Sequence, residues 1–352
     1  MINPKLHRYV TKLTTEQDYL VREFVDNYED GVMSRRDLLE RVFRMTGSTA
    51  AAAGLLLALG VRPALADPLA SVDAGPRPQT PPQSPFSVPE GDPGIITEDV
   101  TFPAFDGAPL MAYLARPRVG GRLPAVMVQY ENAGTNEHFR DITRRFAKNG
   151  YVSLHLDLLS REGGTANVPQ NQRGAVLGAP GAMEQWVSDW QAAMRYLRTL
   201  PFVAGDRIGM IGFCFGGGVV YNMLVAEPTL HAAAPFYGFP PAAGVDALSN
   251  ARAATLVVYG ANDQLTSNIP TIEAALQTAR VPHRTNVYPG AGHAFFNDTR
   301  PNTYVESAAT AAWRDTLAWF GTYLRGGGLP ATGDGSAAEE EVPVDEAPAE
   351  EE

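Results

Sequence analysis

Five mostly continuous apolar runs divide the middle of this 352-residue chain: Leu123–Tyr130, Tyr151–Asp157, Arg207–Phe213, His231–Tyr237 and Ala254–Gly260. A short run without a polar face reads as a strand covered on both sides. Helical stretches lie between them. His138–Gly150 ends in glycine, a common helix stop. Met183–Pro201 places Met183, Trp186, Trp190, Met194 and Leu197 at spacings of three and four, one buried stripe, so its tryptophans belong to a core. Two earlier runs, "DVTFPAF" and "PLMAYLA", flank Asp106-Gly107 and read as an antiparallel hairpin. The pattern predicts an α/β fold: a mostly parallel central sheet, helices on both faces, and a hairpin at the N-terminal edge.

This folded unit is expected over residues 95–325. Before it, residues 1–66 read as a twin-arginine-like signal region. Ser34-Arg35-Arg36-Asp37-Leu38-Leu39 is followed by the uncharged stretch Met45–Val61 and by Ala64-Leu65-Ala66, a small-residue cleavage pattern. An amphipathic helix with a chance arginine pair is the alternative. The apolar stretch is too short for a stable membrane anchor. An exported, periplasmic location and contact with the export machinery follow from the signal; without it the chain stays in the cytoplasm. Residues 67–94 are proline-rich and read as a linker, and 326–352 as an acidic disordered tail.

The net charge of −11 argues against a nucleic-acid partner. The first 66 residues carry +1 and the tail nine acidic groups, which leaves −3 for the middle. A single cysteine excludes an internal disulfide framework and cysteine-rich zinc sites.

That cysteine lies in Gly212-Phe213-Cys214-Phe215-Gly216-Gly217-Gly218, directly after one predicted strand and before a predicted helix. A free cysteine is commonly a small buried hydrophobe. Strand, G-x-C-x-G-G and helix is, however, the setting of a nucleophile elbow, which lifts the side chain above the carboxyl edge of the sheet. It also aims the Phe215 N–H from a positive helix end. A thiol nucleophile needs a base, and the base needs an orienting acid. Asp263 follows the Ala254–Gly260 strand, and His293 sits in the glycine-flanked loop Gly290-Ala291-Gly292-His293. An aspartate there is often a turn former or cap, and a lone histidine is often structural. The three together, in the order nucleophile, acid, histidine, point to a Cys214–His293–Asp263 triad. No H-x-x-x-H pair occurs, so no metal is expected, and the chemistry calls for no cofactor.

From about Thr97 to Leu324 these segments resemble the dienelactone hydrolase family, the carboxymethylenebutenolidase-like cysteine members of the α/β-hydrolase superfamily. The matching segments are G-F-C-F-G-G, G-A-N-D at Asp263, G-A-G-H-A-F at His293, Tyr130–Asn136 as the family's glutamate loop, and Asp157-Leu158-Leu159-Ser160-Arg161. The resemblance implies that Glu131 holds the resting Cys214 thiol and takes its proton as substrate binds. It also implies an oxyanion hole from the backbone N–H groups of Asn132 and Phe215. One departure stands out. Where family members that cleave dienelactones have a carboxylate-binding arginine four residues after the histidine, this chain has Asn297, a substrate-binding candidate by that position, and the nearest arginine is Arg300. Arg173 is the candidate for the second substrate-binding arginine, with a solvated loop residue as the alternative. The expected function is hydrolysis of a small ester or lactone through a cysteinyl thioester. The rivals are hydrolysis of a bulkier neutral ester and a non-catalytic exported binding protein.

Overall fold

The structure, a computed structural model, describes residues 81–326 except Val119, the segments 35–47 and 49–58, and Val21, Phe24, Val25 and Tyr28. Strands β1 (Ile95–Pro103) and β2 (Pro109–Pro117) form the expected antiparallel hairpin. It turns at Gly107, whose φ of 85° suits a residue without a Cβ. Six more strands follow: β3 (Leu123–Gln129), β4 (Val152–Leu156), β5 (Val203–Phe213), β6 (Ala232–Phe236), β7 (Ala254–Gly260) and β8 (His283–Tyr288). Together they make one sheet in the order β1-β2-β4-β3-β5-β6-β7-β8. β2 meets β4 antiparallel, and from β4 to β8 every pairing is parallel. β4, β6 and β7 are buried along their whole length, and the two polar side chains of β4, Ser153 and His155, are bonded to carbonyls of β3.

The described helices around the sheet are α1 (Arg35–Thr46), α2 (Thr49–Ala58), α3 (Glu137–Lys148), α4 (Gln170–Leu177), α5 (Ala182–Thr199), α6 (Phe215–Ala226), α7 (Ile269–Ala279) and α8 (Glu306–Phe320). The predicted stripe of α5 is buried, and Trp190 donates from Nε1 to Gln129 Oε1 at 2.8 Å, a partner that a buried indole N–H requires.

The border expected at residue 95 lies further upstream. The backbone N–H of Ser84 donates to Asp298 Oδ2 at 2.9 Å, and that of Val88 to Asp141 Oδ1 at 2.6 Å. Arg144 Nε donates to the Val88 carbonyl at 2.6 Å. Proline density favours extended backbone, and here that backbone lies against α3 and adds main-chain hydrogen bonds to buried charges that are also paired with one another.

In the N-terminal segment, Leu38, Val42, Leu55 and Leu56 join the same apolar core as the sheet. Arg41 donates to the Gln170 carbonyl of α4 at 2.7 Å, with its guanidinium 5.0 Å from the Phe24 ring centre. Arg35 and Arg36 open α1, and their side chains lie outside the described residues. So do Ala64-Leu65-Ala66, residues 67–80 and the tail from residue 327. No described helix is long and apolar enough to cross a membrane.

Candidate active site

β5 ends at Phe213 and α6 begins at Phe215, so Cys214 alone makes the turn. Its backbone is forced to φ 58°, ψ −118°, a conformation L-residues rarely adopt and one that costs about 1–3 kcal/mol. Surrounding contacts hold it there. Cys214 N donates to the Phe236 carbonyl at 3.0 Å, and its own carbonyl accepts from Gly218 N at 3.1 Å. The flanking glycines answer a spatial need. A Cβ on Gly216 would lie 2.5 Å from the Tyr130 carbonyl oxygen, and one on Gly217 would lie 2.5 Å from that of Phe236. The helix therefore enters the sheet edge at backbone-to-backbone distance.

At the neighbouring strand ends stand His293 and Asp263. Cys214 Sγ is 2.9 Å from His293 Nε2, and His293 Nδ1 is 2.8 Å from Asp263 Oδ2. The other oxygen of Asp263 accepts from Leu265 N at 2.9 Å and caps the turn after β7. The carboxylate is thus both the turn former and the partner of the ring. Because Oδ2 only accepts, Nδ1 must donate, which leaves Nε2 facing the sulfur. Burial alone would push the imidazole down. The charges and hydrogen bonds of Cys214 and Asp263 outweigh it and raise His293 well above its ordinary value. The Tyr237 ring, 5.0 Å from that of His293 between centroids, closes one side.

Glu131, Asn132 and Phe215 also converge here. Glu131 and Asn132 follow β3, and both are buried. As the first residue of α6, Phe215 has an N–H with no acceptor inside the helix. Glu131, however, does not hold the thiol. Its Oε2 accepts from Asn297 Nδ2 at 3.0 Å and pairs with Arg300 Nη2 at 2.9 Å. Its Oε1 accepts no hydrogen bond among the described residues. Asn297, expected to meet substrate, instead lies fully buried against this carboxylate.

Arg173 is likewise committed elsewhere. It lies in α4, not in a loop, and donates to three main-chain carbonyls: Val168 at 3.0 Å, Ala133 at 2.8 Å and Thr165 at 2.9 Å. The contact with Ala133 ties α4 to the residue after Asn132. Beside α4 is a cavity of about 480 Å³ lined by Leu158, Val176, Pro180 and Trp186 among others, with Glu162, Gln172 and Gln185 as polar members. Trp186 packs edge-on against Phe215, with ring centroids 4.9 Å apart, so one side chain separates the cavity from the residue after the nucleophile. No group of acidic, histidine or cysteine residues among those described is arranged to hold a metal ion.

Sequence reasoning missed a buried ionic cluster behind the histidine loop. His138 Nδ1 lies 2.6 Å from Asp298 Oδ1, and Arg145 Nη2 lies 2.6 Å from Asp298 Oδ2; Arg145 also pairs with Asp141. Burial would raise the Asp298 carboxyl, but His138, Arg145 and the Ser84 N–H hold it far below its ordinary value. "RDITRR" looks like a solvated face. Only the dense charge of a helix lying between glutamate loop and sheet edge hinted otherwise.

An eight-stranded, mostly parallel sheet with a strained cysteine elbow and an Asp–His pair at adjacent strand ends defines an α/β hydrolase. The dienelactone hydrolase family profile matches residues 110–324, and the chain belongs to that family. Two relatives, both named "Putative carboxymethylenebutenolidase", come from Methylorubrum extorquens and Synechocystis sp. The first is 33% identical over 246 residues, covering 65% of this chain and 82% of the relative. The second is 34% identical over 249 residues, covering 66% and 98%. Among solved structures, "Putative Dienelactone Hydrolase" from Klebsiella pneumoniae is 31% identical with a TM-score of 0.59, covering 65% of this chain and 99% of that one.

Proposed function

We propose that this hydrolase cleaves a small ester or lactone through Cys214, His293 and Asp263. Cys214 Sγ, its proton passed to His293, attacks the acyl carbon. The developing oxyanion lies against the backbone N–H groups of Asn132 and Phe215. As the tetrahedral species collapses to a cysteinyl thioester, His293 returns the proton to the departing alcohol oxygen. In a lactone that oxygen stays tethered to the acyl group. His293 then takes a proton from water, whose oxygen attacks the thioester, and Cys214 is released with the carboxylic acid. Asp263 keeps the ring in the required tautomer throughout. The observation that carries this reading is the Sγ–Nε2–Nδ1–Oδ2 chain of contacts at 2.9 and 2.8 Å, set on a strained elbow.

A neutral ester fits the site better than an acidic lactone. Arg173 is spent on main-chain carbonyls, and Asn297 and Arg300 both attend Glu131. The cavity beside Trp186 mixes polar and apolar surface, and its one charged lining residue, the carboxylate Glu162, disfavours an anion. The test is hydrolysis of a dienelactone and of a neutral aryl ester by wild type and Cys214→Ala. Wild-type turnover should fall by about 10⁴-fold or more in the variant, with the neutral ester preferred. Equal rates in both proteins would favour a binding protein on the same fold.

The twin-arginine-like pattern at Ser34–Leu39 with Ala64-Leu65-Ala66 supports export of the folded chain to the periplasm. A fractionation experiment with Arg35→Lys/Arg36→Lys checks it: the protein should shift to the cytoplasm.

A further inference from the structure

The resemblance implies a resting thiol on Glu131, yet the thiol sulfur lies against His293 Nε2 and the glutamate gives Oε2 to Arg300 and Asn297. We propose that Arg300 and Asn297 are positioning residues that hold the Glu131 carboxylate off Cys214, so that the resting enzyme already carries its thiol proton on His293. The inference rests on Cys214 being the nucleophile of the reaction above, but its test needs no substrate, so either can fail alone.

Three observations support it. Glu131 directs Oε2 to both Arg300 and Asn297, while Cys214 Sγ is 2.9 Å from Nε2. A buried guanidinium against a buried carboxylate is a strong local restraint, because separating them leaves two uncompensated charges. The charged groups facing the sulfur also favour a proton on nitrogen. The imidazolium is backed by Asp263, Glu131 is neutralised by Arg300, and the N-terminal end of α6 points its positive pole at Cys214. Tyr237, a further titratable neighbour among the described residues, stays a neutral phenol: burial raises its pKa, and Glu131 and Cys214 raise it further. The proton moves from Sγ to Nε2, leaving thiolate and imidazolium with no change in net charge. The positioning pair acts on when the nucleophile forms: before substrate arrives, not in response to it.

A single cysteine makes the measurement clean. Thiolate absorbance at 240 nm, taken as the difference between the full-length protein and Cys214→Ala, reports Cys214 alone, and so does the pH dependence of iodoacetamide alkylation. Wild type should titrate below about pH 6, against about 8.5 for a free cysteine. Arg300→Met should raise that midpoint by one unit or more, because Glu131 regains an uncompensated negative charge and access to the thiol. Arg300→Lys should restore part of the shift. Arg300→Met/Glu131→Gln should restore most of it, since an amide neither repels the thiolate nor takes its proton. A merely structural arginine would not be rescued by a change at Glu131. A wild-type midpoint near 8.5 overturns the proposal without any variant. So does an unchanged midpoint in Arg300→Met, or a double variant that stays raised.

Discussion

Asp263 shows how one side chain serves two masters. Oδ1 caps the turn after β7 and Oδ2 holds His293. Asp263→Asn can keep the cap through its carbonyl oxygen, while its amide donates to Nδ1 and forces the proton onto Nε2. That tautomer cannot accept the thiol proton. The expected result is a folded protein, normal by circular dichroism, whose kcat is lower by roughly 10²–10⁴-fold. Gly216→Ala should behave oppositely, failing through structure. Its Cβ would meet a main-chain carbonyl at 2.5 Å, and a backbone oxygen cannot rotate away as a side chain can. Thermal melting should show a loss of about 2 kcal/mol or more. At this scale the three residues of the triad were legible because each needs a strand end and each strand announces itself by its apolar run. The partners of Glu131 were not. Position after the histidine draws notice to Asn297 and Arg300, but only the folded loop shows that both meet Glu131.

At the scale of elements, α4 and the segment after β3 act as one piece through Arg173. Lysine, a single point charge, cannot reach three carbonyls with a fork. Arg173→Lys should therefore reduce kcat by about 10-fold on neutral and acidic substrates alike, since it loosens the oxyanion segment. A KM rise confined to the acidic substrate would assign Arg173 to substrate instead. β4 gives a pH prediction. His155 is buried, with Nδ1 2.9 Å from the Val128 carbonyl and Nε2 2.7 Å from Thr135 Oγ1. Burial holds its pKa down to about 4, against 6.5 in an open chain. Between those values the unfolded chain binds a proton that the folded one refuses, so stability falls as pH falls from 6.5 to 4. The total is about 3 kcal/mol. Urea midpoints across that range should drop in wild type and flatten in His155→Gln. The strands and the long helices α3 and α5 could be read from periodicity. The short α4 could not, because eight residues containing Gly174 and no clear apolar stripe carry little helical signal.

For the whole molecule, the physical border of the domain precedes the border of the family match at residue 110. Deleting residues 1–94 removes the main-chain partners of Asp141, Arg144 and Asp298, whereas deleting 1–80 leaves them in place. Hydrogen bonds to charged groups contribute about 1.5–3 kcal/mol each. The shorter protein should thus unfold at clearly lower urea than the longer one, by about 3–5 kcal/mol after losses from relaxation. The prolines of residues 81–94 suggested a linker because composition reports backbone stiffness and says nothing about what the backbone touches.

Ser84 and Asp298, 214 positions apart, meet at 2.9 Å, and Asp298 lies five residues after His293. On the ribosome the first of these emerges early and the second only near the end of synthesis. A nascent chain interrupted between the elbow helix and His293 has its cysteine but no histidine loop, and its Ser84 lacks Asp298. Closure of the site is therefore among the last events of biosynthesis, and an unfinished polypeptide carries an unprimed sulfur.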